Sequence, residues 1–117
     1  NAVVQSQVGQ AETRLRAARL FLLASLEEIW GAVGRSGVFT LEQRMLIRMA
    51  ATLATQTARD VADIAYHAAG GTAVFVGGAF ERRFRDVHSV TQQYQGRQAH
   101  YETVGQVMLG VSPENIF

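Results

Sequence analysis

Proline occurs once in this chain, at Pro113, so no residue before it forbids a helix or kinks one. Glycine is the only strong breaker left, and eight of the eleven mark stops: Gly34 and Gly37, Gly70-Gly71, Gly77-Gly78, Gly96 and Gly110. Between those stops the apolar residues repeat with a helical period. Val8, Leu15, Leu22 and Ile29 recur every seventh residue, and Ala11, Ala18, Ser25 and Ala32 fill the intervening small positions. That a/d pattern predicts a helix from about Gln5 to Val33. Leu23, Leu26 and Trp30 form a second apolar strip on it, which implies burial on more than one side.

Thr40 and Gln43 are spaced as a capping box, so a second helix is expected from Thr40 to about Ala69. Its Leu46, Leu53, Val61, Ile64 and Ala65 lie near one face, and eight alanines between Ala50 and Ala69 let neighbouring helix axes come close. This element should therefore be central. A short helical turn is read at Thr72–Val76, a third helix at Ala79–Gln92 with Phe80, Phe84, Val87 and Thr91 inward, and a fourth at Gln98–Leu109. The fold class is all-α, a four-helix up-and-down bundle with no sheet and more than two thirds of its residues helical. The short Gly34–Thr40 connection makes the two long helices antiparallel.

Residue usage removes whole classes of chemistry. All eleven basic residues are arginine, so Schiff-base and P-loop lysines are excluded. There is no cysteine, hence no disulfide, thiol nucleophile or thiolate metal site. The net charge of +1 does not call for nucleic acid, and no run approaches the ~20 apolar residues of a membrane span. Leu20 to Ala24 imitates a signal-peptide core after three arginines, but Glu27 and Glu28 end it, and a cytoplasmic location is expected. At 117 residues the chain is read as one domain, 1–117, with Asn1-Ala2 as the remnant of a cleaved tag on a fragment of a larger enzyme.

No self-contained catalytic motif is present. His67, His88 and His100 form no i,i+3 or i,i+4 pair, no HExxH or GxSxG occurs, and no metal site is expected. Arg82, Arg83 and Arg85 read first as a solvated or salt-bridged face with Glu81 and Asp86, and second as an anion contact. Gly70-Gly71-Thr72 reads locally as a helix stop, or as a turn whose amides could face an anion.

Three stretches together carry a resemblance: His67 to Phe75, Phe80 to His88 and Tyr101 to Gly110, with Leu15 to Arg19 upstream. Over roughly Val8 to Gly110 the sequence resembles the C-terminal domain of acyl-CoA dehydrogenases, and more closely the type 2 branch that includes the oxygenase components of two-component flavin monooxygenases. The resemblance implies a bundle that joins two dimers into a homotetramer and completes part of a flavin site. It places flavin contacts at His67, Gly70, Gly71 and Thr72, and gives Arg85-Asp86 a helix-anchoring role. FAD or FMN would be the cofactor, with reduced flavin supplied by a separate reductase. The implied reaction is oxygen insertion into an aromatic, heteroaromatic or amine substrate. Where such oxygenases carry a histidine this chain has Gln93, and where dehydrogenases carry a glutamate it has Gln95, so neither catalytic group is assigned. A glutamine cannot accept a proton at neutral pH. An acyl-CoA dehydrogenase with its base elsewhere and a non-catalytic oligomerisation module are the two rival readings.

Overall fold

A computed structural model describes residues 1–70, 78–92 and 97–111. Helix accounts for 87% of them, with no strand. The order is α1 (Ala2–Ser36), α2 (Leu41–Ala69), α3 (Ala79–Val90) and α4 (Ala99–Met108).

The first helix extends beyond the Gln5–Val33 expected for it, for local reasons at both ends. The Asn1 side chain accepts the amide of Val3 at 2.8 Å, an N-cap that starts α1 at Ala2. Gly34 is tolerated inside the helix, and the stop falls at Gly37. There φ is 70° and the amide returns to the Val33 carbonyl at 2.7 Å. Thirty-five residues at about 1.5 Å each give a rod of about 52 Å, and the molecule's longest dimension is 52 Å.

Helix α2 begins with the expected capping box. Thr40 Oγ1 accepts the Gln43 amide at 3.1 Å, and Gln43 Oε1 accepts the Thr40 amide at 2.9 Å. The two long helices are antiparallel: Arg14, early in α1, meets Asp60, late in α2, at 2.7 Å. Both α3 and α4 pack on α2, so the alanine-rich helix is the central one.

The α1 seam keeps the small half of the expected a/d pattern and loses part of the large half. The residues of α1 that disappear from solvent are the small ones, Ala11, Ala18 and Ser25, while Val8 and Leu15 stay partly exposed. On α2 the buried set is Ala50, Thr52, Gln56 and Thr57, and Leu53 is at the surface. Small side chains allow closer backbones, so the larger apolar residues flank the contact rather than fill it. The second strip on α1 is not covered: Leu20, Leu23, Leu26 and Trp30 all face outward.

In α3, Phe84 and Val87 are half-buried and Thr91 just beyond the helix is buried, as expected, while the side chain of Phe80 is outside the described set. In α4, His100 and Val104 point inward, and Gly110 at φ 73° follows the last turn. The turn expected at Thr72–Val76 lies outside the described residues.

Candidate functional site

Residues four and three apart stack on one side of a helix, so Asp63, Tyr66, His67 and Gly70 share a face at the C-terminal end of α2. Helix α3 lies against this end. His88 Nε2 is 2.8 Å from Asp63 Oδ1, which ties the two helices together. The ring of His88 packs on Phe84 with centroids 4.4 Å apart, Phe84 on Tyr66 at 4.2 Å, and Tyr66 meets the edge of His67 at 6.1 Å. A ladder of four rings therefore runs from the Asp63–His88 pair to the exposed His67.

Two clefts flank the ladder. One of 310 Å³ lies between α1, α2 and α3, walled by Leu15, Ala58, Val61 and Ala62, with Arg83 beside it. The other, of 460 Å³, is more polar and is bordered by Tyr66, Glu81, Arg85, His88 and Gln92. An imidazole held by a carboxylate keeps a fixed ring orientation and can take or give a proton at its other nitrogen. That is the one proton-handling arrangement linking α2 and α3 among the described residues. No group of three metal-ligating side chains occurs among them either.

The expected flavin-contact residues divide. His67 and Gly70 are described, whereas Gly71 and Thr72 are not, and Gln93 and Gln95 also lie outside the described residues. His67 is exposed in the last turn of α2. Gly70 has φ 61° and ψ −135°, a backbone that L side chains rarely adopt, and among the described residues nothing lies within 4 Å of where a Cβ would stand. Its amide donates to the His67 carbonyl, so Gly70 offers an open backbone surface rather than a free donor. The expected anchoring by Arg85-Asp86 falls elsewhere. Arg85 faces Glu81 within α3 at 3.6 Å and Asp86 is exposed, so the described polar side-chain tie from α3 to α2 is His88 to Asp63. Local spacing could not show that tie, because its partners are 25 residues apart with two glycine pairs between them. The usable signal was Asp63 itself, a carboxylate set between apolar neighbours Ala62 and Ile64.

The sequence profile of the acyl-CoA dehydrogenase C-terminal domain matches residues 1–98, most of the helical framework just described. The chain belongs to this family. Curated relatives agree. The chain is 29% identical over 111 residues to an indole-3-acetate monooxygenase of Pseudomonas putida, covering 95% of the chain and 28% of that protein. It is 34% identical over 82 residues to a pigment production hydroxylase of Rhodococcus erythropolis, covering 70% of the chain and 21% of the relative. An indole-3-acetate monooxygenase of Acinetobacter baumannii is 27% identical over 111 residues, again 95% and 28%. This acyl-CoA dehydrogenase C-terminal domain thus falls with the type 2 branch, and it spans less than a third of the length of these relatives.

Proposed function

We propose that these 117 residues are the C-terminal domain of a larger flavin-dependent monooxygenase that uses reduced flavin to oxygenate an aromatic, heteroaromatic or amine substrate. The observation that carries the reading is the match to relatives named as a monooxygenase and a hydroxylase along 95% and 70% of the chain. The flavin, FAD or FMN, supplies oxygen activation when bound. The chain's part is positional. The exposed ring of His67 and the open backbone at Gly70 suit a flat cofactor laid across the end of α2, with Gly71 and Thr72 continuing the contact. The Asp63–His88 pair and the ring ladder hold α3 against that end.

Self-association belongs to the same proposal, as a homodimer or homotetramer, because the chain leaves Leu20, Leu23 and Trp30 exposed. A separate flavin reductase and a cytoplasmic location complete it. Among the described residues no helix is long and apolar enough to cross a membrane.

The test is made on the full-length protein with a flavin reductase and NADH. Reductase-dependent oxygen uptake coupled to hydroxylation of an indole or phenol is the expected result. Oxidation of an acyl-CoA with an electron acceptor, without reductase, would instead establish the dehydrogenase reading.

A further inference from the structure

We draw no further inference here: the strongest candidate, the apolar cleft of 310 Å³ between α1, α2 and α3 with Arg83 at its edge, lies in a chain that spans less than a third of its relatives' length, and nothing in the structure shows what covers it.

Discussion

Thr52 is completely buried in the central helix, and its hydroxyl has no hydrogen-bond partner among the described residues. A buried hydroxyl without a partner costs about 1–3 kcal/mol, and valine has nearly the same shape. Thr52→Val should therefore stabilise the chain by about 1 kcal/mol, seen as a rise of about 4–8 °C in the thermal midpoint. The Asp63–His88 pair predicts a different asymmetry. Both side chains are more than a third exposed, so the ion pair itself is worth no more than about 1 kcal/mol. His88 also packs on Phe84, a ring contact of about 0.5–1.5 kcal/mol. Denaturant unfolding should show His88→Ala more destabilising than Asp63→Asn. Tyr101 sets the alkaline behaviour. Burial of part of its ring raises its pKa above the ordinary 10.0, so the folded state holds the phenol proton more tightly than the unfolded one. That contribution is constant below pH 10 and is lost as pH rises through the raised folded value. With no lysine or cysteine, tyrosines are the side chains that titrate there, and Tyr101→Phe should flatten the loss of stability above pH 10. His67 could be named as a candidate from sequence because the family resemblance carried it. His88 could not be given its tie, since only packing of α3 on α2 brings it to Asp63.

At the level of elements, the boundaries that were legible are those set by local chemistry. Thr40 with Gln43, Gly37 and Gly70 each act within a few residues of themselves, and each stop or start falls within a few residues of where their identity places it. Removing the cap tests this: Thr40→Ala deletes the acceptor for the Gln43 amide and should cost about 1 kcal/mol by thermal or denaturant unfolding. What sequence could not settle is how deeply each half of the a/d pattern is buried. Val8, Leu15, Leu22 and Ile29 look like core by hydrophobicity, yet Ala11, Ala18 and Ser25 are the buried set. Periodicity fixes the repeat to seven and leaves the rotation of the helix undecided. Closeness of approach decides it, and that depends on small residues being present on both partners. The alanines of α2 and the small positions Ala11, Ala18 and Ser25 of the α1 a/d pattern were both readable, which is why the pairing of these helices could be anticipated while the exposure of Val8 and Leu15 could not.

For the whole molecule, the four-helix architecture follows from glycine punctuation and the absence of proline before Pro113, while completeness of a cofactor site does not. The chain covers 28% of an indole-3-acetate monooxygenase that it resembles, and the flavin contacts proposed for it are few. At the end of α2 the Gly70 amide is already bonded to the His67 carbonyl, and a helix C-terminus presents carbonyls, the wrong polarity for a phosphate. On the reading proposed above, the contact rests on His67 with Gly71 and Thr72. One or two charge-assisted hydrogen bonds at about 1.5–3 kcal/mol each, before ordering costs, come to about 4 kcal/mol. A free energy of about 4.1 kcal/mol corresponds to a millimolar dissociation constant. The 117-residue chain should thus bind FAD and FMN no tighter than about millimolar, and show no oxidase, dehydrogenase or oxygenase turnover. Calorimetric titration with each flavin, checked by quenching of flavin fluorescence, measures this directly. His67→Ala should abolish whatever weak binding remains, since it removes the one exposed cationic-capable ring at that end. Micromolar affinity would show that the chain carries an isoalloxazine pocket of its own. The two clefts beside the Tyr66–Phe84 ladder would then be the places to look for it, with Leu15 and Val61 lining the more apolar one.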